Sequence, residues 1–224
     1  MNERKPALTV WLGEAALFPN PECADAEGLV AVGGDLRAER LLAAYRHGIF
    51  PWTVDPITWW SPDPRGIFEL DQFHISDSLA RVIRRQTFEV TIDRAFREVM
   101  QGCAAPGPKR RSTWIASAFI EAYTQLHQLG HAHSVECWLE GNLAGGIYGV
   151  AIGGLFAGES MFHRADNASK VALAHLVAQL RKRQFRLFDI QMVTTATRSF
   201  GAKEVPRREY LCRLADAVSR ECRF

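Results

Sequence analysis

A chain of 224 residues, with 47% hydrophobic and 23% charged side chains, has the size and make-up of one large globular domain, or of one large and one small. A net charge of +2 excludes a protein that wraps nucleic acid by bulk attraction. No apolar run approaches the roughly 20 residues that span a bilayer.

The polar start Met1-Asn2-Glu3-Arg4-Lys5-Pro6 leads into no signal-peptide core. Cys23, Cys103, Cys137, Cys212 and Cys222 are odd in number and form no Cys-x-x-Cys pair, so neither a disulfide framework nor zinc is suggested. A cytoplasmic protein with reduced thiols is expected. Basic residues cluster at Arg81/Arg84/Arg85, Lys109-Arg110-Arg111, Arg181-Lys182-Arg183 and Arg207-Arg208. Each cluster suits a solvated face, and together they allow a patch that holds a few phosphates.

Residues 1–66 are rich in Pro, Gly and Trp and contain one clear helix, from Arg37 to His47, with Asp35 as N-cap and Gly48 as its stop. The turn Ser61-Pro62-Asp63-Pro64-Arg65-Gly66 marks a boundary to a second domain over 67–224. There Ser76 caps a helix to Arg85, Phe88/Val90/Ile92 alternate as a strand, and a short helix covers 95–101. A longer helix, Ile115 to Leu129, ends at Gly130. That stop separates His127 from His131, so no metal site is expected.

Three strand-like runs follow, Ser134–Leu139, Leu143–Ile152 and Leu155–Phe162, divided by Glu140-Gly141-Asn142 and Gly153-Gly154. They read as an antiparallel meander. Ser169 then caps an amphipathic helix carrying Leu173, Leu176, Val177 and Leu180, before a strand over Leu187–Val193 and a final helix from Pro206 to Arg220. The order suits an α+β fold with a mixed, largely antiparallel, acetyltransferase-like sheet.

Two stretches carry polar groups inside apolar strands: Phe156-Ala157-Gly158-Glu159-Ser160-Met161-Phe162 and Phe188-Asp189-Ile190-Gln191. Residues i and i+2 of a strand share a face, so Asp189 and Gln191 are expected to point the same way. Buried polar groups need partners, which makes that face a candidate site. A strand end where both reach water fits the same pattern.

Several segments stand in unbroken order: Phe18-Pro19-Asn20-Pro21, the Gly28–Leu36 run, Gly48-Ile49-Phe50-Pro51-Trp52, Trp59-Trp60-Ser61-Pro62 with Arg65, and Thr113-Trp114. They continue through the Gly153–Phe162 run, Asn167-Ala168-Ser169-Lys170, Asp189/Gln191, Gly201-Ala202 and Pro206-Arg207. Through these segments the chain resembles the bacterial leucyl/phenylalanyl-tRNA–protein transferases. The resemblance implies a small N-terminal domain and a GNAT-like domain, with no cofactor. It implies transfer of Leu or Phe, and less efficiently Met, from tRNA to the N-terminal Lys or Arg of proteins in the N-degron pathway, by a monomer away from membranes.

By the same resemblance, Gln191 orients the attacking amine and Asp189 polarises Gln191. Glu159 binds a substrate amine or ribose hydroxyl. Trp52 and Trp114 hold the terminal adenosine with help from Tyr45 and Tyr123, although without the resemblance the two indoles read as interdomain core. Ile147, Leu173, Leu176, Leu180 and Phe188 are expected to line the aminoacyl side-chain pocket, although each also suits plain core packing. Thr194-Thr195-Ala196-Thr197-Arg198 departs from the family's pattern just after Gln191. A coenzyme-A acyltransferase and a non-catalytic tRNA-binding module are the alternatives. The first lacks a Gly-rich turn in His163-Arg164-Ala165-Asp166-Asn167, and the second has no use for the Asp189/Gln191 strand.

Overall fold

The strands form two sheets, one from residues 10–60 and one from residues 65–205. The structure, a computed structural model, describes residues 9–106 and 113–224. The smaller sheet comprises β1 (Val10–Leu12), β2 (Leu29–Gly33), β3 (Phe50–Val54) and β4 (Ile57–Trp60) in the order β1-β2-β4-β3. Between β2 and β3 lies α1 (Ala38–Arg46). Its N-cap is Arg37 rather than the expected Asp35, whose carboxylate instead accepts from the Arg37 backbone N–H (3.0 Å) and pairs with buried Arg40 (3.2 Å). Arg40 also donates to the carbonyls of Gly13, Glu14 and Ala15, which pins the N-terminal arm.

The larger sheet begins with β5 (Arg65–Phe68), so the boundary expected after Gly66 cuts this strand. The elements α2 (Asp77–Arg84), β6 (Glu89–Ile92), α3 (Phe96–Ala104) and α4 (Ser117–Gln128) follow. The meander β7 (Ala132–Leu139), β8 (Asn142–Ile152) and β9 (Leu155–His163) leads into α5 (Ala168–Lys182) and β10 (Leu187–Gln191). A one-turn helix α6 (Thr195–Arg198), β11 (Lys203–Val205) and α7 (Arg207–Val218) complete the chain. The N-cap lies two residues before the expected Ser169: α5 starts at Ala168 from Asn167 in the left-handed region (φ 68°), and Ser169 is buried inside the helix.

The seven strands lie in the order β11-β5-β10-β9-β8-β7-β6. All pairs are antiparallel except β9/β10, which α5 joins by a crossover. An antiparallel meander followed by one parallel, crossover-linked pair makes this a mixed, largely antiparallel sheet, as the sequence suggests. Helix α5 covers one face over a core that includes Phe156, Leu173, Leu176 and Phe188. On the other face, α3 and α4 with α1 and the small sheet enclose a core around Tyr45, Trp59, Tyr123 and Tyr148. Helix α7 seals a third cluster against Ile67, Leu155 and Leu187.

Two features position the site. The strands β9 and β10 pair only over Leu155–Ala157 and Leu187–Asp189, and they part beyond that point while β9 stays paired with β8 to His163. At the parting, β10 bulges: Asp189 and Gln191 face Ile67 and Gly66, which are adjacent on β5. Gly66 permits this, because a Cβ there would lie 2.8 Å from the Met192 carbonyl carbon.

Candidate active site

Asp189 lies at the last position of β10 that pairs with β9 and is wholly buried. Its Oδ1 accepts from Arg65 Nε (2.8 Å) and from the Gln191 backbone N–H (2.9 Å). Its Oδ2 accepts from Arg65 Nη2 (2.6 Å) and from the Tyr210 hydroxyl (2.8 Å). Four donors therefore occupy the carboxylate. Burial alone would lower the Arg65 pKa, but the facing Asp189 outweighs it and raises it, so the guanidinium stays charged.

The expected common face of Asp189 and Gln191 is broken by the bulge. Gln191 takes a left-handed backbone (φ 56°), sparsely populated for a residue with a side chain. The link between the two residues runs through the Gln191 backbone N–H, not through its side-chain amide. That amide turns instead to β9, where Nε2 donates to Glu159 Oε1 at 2.9 Å.

Glu159 stands above the buried tyrosines. Burial first, and Asp189 second, disfavour its charge; the Tyr45 hydroxyl, Arg65 and Gln191 offset them only in part, so its pKa is pushed up to about 8. Tyr45 and Tyr123 join their hydroxyls beneath it, in rings that are 1% and 0% exposed. Neither ring is open to a base, and what the two tyrosines turn toward Glu159 is their hydroxyls. Burial raises both phenol pKa values well above the ordinary one, with the nearby Glu159 adding to the effect.

Trp52, on β3, and Trp114, just before α4, are both half-buried and both line one opening. This cavity of about 240 Å³ is completed by Phe50, Pro51, Glu159, Ile190, Gln191, Met192 and Thr194. It brings together the two indoles, the Glu159 carboxyl group and the Gln191 carboxamide, while Asp189 is not part of its lining. Thr194, the first residue of the unusual segment, caps α6 by accepting from the Thr197 N–H at 3.1 Å and so keeps a defined place on the rim.

Ile147, Leu173, Leu176, Leu180 and Phe188 meet in one packed layer between the sheet and α5 and do not line that opening. Ile190 connects the two, since it lines the opening and packs against the same layer. Leu180 is remote: its carbonyl accepts from Phe185 (3.0 Å), before the start of β10 and at the opposite end from Gln191. Its place is in the core alone.

Two basic residues have structural duties. Arg181 Nε donates to the Leu70 carbonyl (2.7 Å), and Arg207 Nη1 donates to the Ser61 carbonyl (2.6 Å). The Lys109-Arg110-Arg111 cluster lies outside the described residues. A wider cavity of about 970 Å³ sits at the β8–β9 turn, among Arg46, Lys182, Arg183 and Arg220. These residues stand at or just beyond the C-terminal ends of α1, α5 and α7, where cations complement the helix dipoles.

Sequence reasoning assigned no role to Arg65, Tyr210 or Ile190. Arg65 had a readable signal, a charged residue opening the apolar run Arg65-Gly66-Ile67-Phe68, where burial demands a partner. Nothing local marks Tyr210.

A family model described as leucyl/phenylalanyl-tRNA protein transferase matches residues 67–215, and one described as its N-terminal domain matches residues 34–63. A leucyl/phenylalanyl-tRNA–protein transferase of Syntrophobacter fumaroxidans is 52% identical over 210 residues, covering 92% of this chain and 90% of that protein. One of Nitratidesulfovibrio vulgaris (strain DP4) is 50% identical over 214 residues, covering 94% and 92%. Among solved structures, L-PGS from Bacillus licheniformis is alike over 80% of this chain and 62% of that one, with 13% identity and a TM-score of 0.43, a likeness too distant to bear on function. The matched segments, which include Glu159, Asp189 and Gln191, establish that this chain belongs to the leucyl/phenylalanyl-tRNA protein transferase family.

Proposed function

We propose that this protein moves Leu or Phe, and less efficiently Met, from aminoacyl-tRNA to the N-terminal Lys or Arg of acceptor proteins. It would do so in the cytoplasm, as a monomer, in the N-degron pathway. Membership of the family supports aminoacyl transfer from tRNA to protein. The observation that carries the site assignment is the Gln191–Glu159 bond, 2.9 Å long, at the wall of an opening bounded by Trp52 and Trp114.

An aminoacyl ester is already activated, so the protein needs to align two substrates and favour the tetrahedral intermediate. The terminal adenine stacks on Trp52 and Trp114, as single-stranded bases commonly do on aromatic rings. The aminoacyl side chain enters where β9 and β10 part, against Ile190, with Ile147, Leu173, Leu176 and Phe188 behind. Glu159 holds the Gln191 Nε2, and this leaves Gln191 Oε1 to accept from the incoming amine. An N-terminal amine has a pKa of roughly 7.7–8.0, so a useful neutral fraction exists near pH 7 without a strong base.

The amine nitrogen bonds to the ester carbonyl carbon, and the intermediate collapses by releasing the ribose 3′ oxygen. The amine's proton ends on that oxygen, passed through the vicinal ribose hydroxyl. Gln191 positions the nucleophile and does not abstract its proton. Hydrophobic selection of this kind separates side chains by about 1–3 kcal/mol per methylene, which fits some transfer of Met.

The test is incubation of the purified protein with radiolabelled Leu-tRNA, Phe-tRNA or Val-tRNA and a peptide beginning with Arg. Label should enter the peptide from the first two. Equal transfer from Val-tRNA, or none from any donor, refutes the assignment.

A further inference from the structure

Resting on that assignment, we infer that Arg65 and Tyr210 are positioning residues for the transfer, and that they act on Gln191 through Asp189. The two groups hold the Asp189 carboxylate from one side, and its Oδ1 holds the Gln191 backbone N–H from the other. A left-handed backbone at a residue with a side chain needs its surroundings to hold it there. The Asp189 bond is one such restraint, and this backbone is what turns the Gln191 amide toward Glu159.

Arg65 also reaches the opposite wall of the opening. Its Nη1 donates to the Gly48 carbonyl at 3.0 Å, and its guanidinium lies 4.9 Å from the centre of the Phe50 ring. Gly48 (φ 74°) turns the chain from α1 into β3, which carries Phe50, Pro51 and Trp52 to the opening. A Cβ at Gly48 would lie 2.8 Å from Tyr210 Cε1, so the turn, the phenol and the guanidinium are packed as one unit. The Tyr210 ring takes the other contact of the guanidinium, 4.5 Å from ring centre to Arg65 Cζ. One buried cation thus fixes the Trp52 wall relative to the Gln191 wall. Lysine cannot replace it, because a single ammonium lacks the fork that spans Asp189 and Gly48.

Tyr210→Phe removes the hydroxyl bond to Asp189 and keeps the ring, and Arg65→Lys keeps the charge and removes the fork. Single-turnover transfer from Leu-tRNA to an Arg peptide is measured for both variants, with binding of Leu-tRNA and the melting temperature recorded alongside. Tyr210→Phe is expected to slow transfer about tenfold at unchanged Leu-tRNA affinity, and Arg65→Lys at least as much. In a Gln191→Ala background, Tyr210→Phe is expected to slow the residual rate less than twofold, because the group it positions is gone. Full transfer by Tyr210→Phe, or equal losses in the two backgrounds, overturns the inference. An inactive wild type would instead refute the aminoacyl-transfer assignment itself.

Discussion

Arg65 holds both oxygens of Asp189, at 2.8 and 2.6 Å, with each side chain 1% exposed. This ion pair joins the first strand of the large sheet to its bulged strand β10 and sits under the candidate active site. It makes Asp189 a structural anchor for Gln191 and leaves little of its carboxylate for direct chemistry.

Asp189→Asn should therefore be costly for the fold. It strands a buried guanidinium opposite a neutral amide, and breaking a buried pair from one side costs about 3–5 kcal/mol. Urea unfolding should show that loss together with reduced transfer. Wild-type stability would remove the anchoring role.

Glu159 gives a pH signature. Its pKa stands near 4.5 in an unfolded chain and about 8 in the fold. The folded state therefore binds more protons between those values, so this group's contribution to stability is fully present below about pH 4.5 and falls as pH rises toward 8. Glu159→Gln should flatten the fall over that window, an effect on the order of a few kcal/mol. Unfolding of both proteins from pH 5 to 8 checks this, and parallel curves would contradict it.

Much of the large domain is legible locally. The meander, the α5 stripe of leucines and the Gly130 stop all follow from periodicity and turn chemistry, and β7, β8 and β9 fall within two residues of their expected ends. The strands of the first 60 residues are less legible, because Pro51 and the tryptophans break the alternation that marks a strand. Insertion of β5 between β10 and β11 is a long-range pairing that no local pattern records. The same holds at the site. Alternation brings Asp189 and Gln191 to one strand, but the bulge at Gln191 depends on Gly66, more than 120 positions away in sequence, and so the divergence of the two side chains is invisible locally. Tyr45 and Tyr123 illustrate a further limit, since type and spacing do not reveal which aromatic rings stay half-open and which are sealed in the core.

The two indoles should matter for binding more than for stability. Trp52 and Trp114 are both half-buried and both line the opening. Stacking is worth about 1–3 kcal/mol per base, so Trp52→Ala or Trp114→Ala should raise the KM for Leu-tRNA on the order of 5- to 150-fold, and Phe at either position should restore part of it. Steady-state kinetics of the four variants provide the check. An unchanged KM in both alanine variants would assign the indoles to packing.

The most direct test of the account is the single-turnover rate of leucyl transfer from Leu-tRNA to an Arg peptide, compared between the wild type and Gln191→Ala at matched donor occupancy. A carboxamide that orients the nucleophile predicts a fall of about 100-fold on its removal, with Leu-tRNA affinity retained. Transfer by Gln191→Ala at the wild-type rate would contradict the central claim that this residue aligns the amine with the ester.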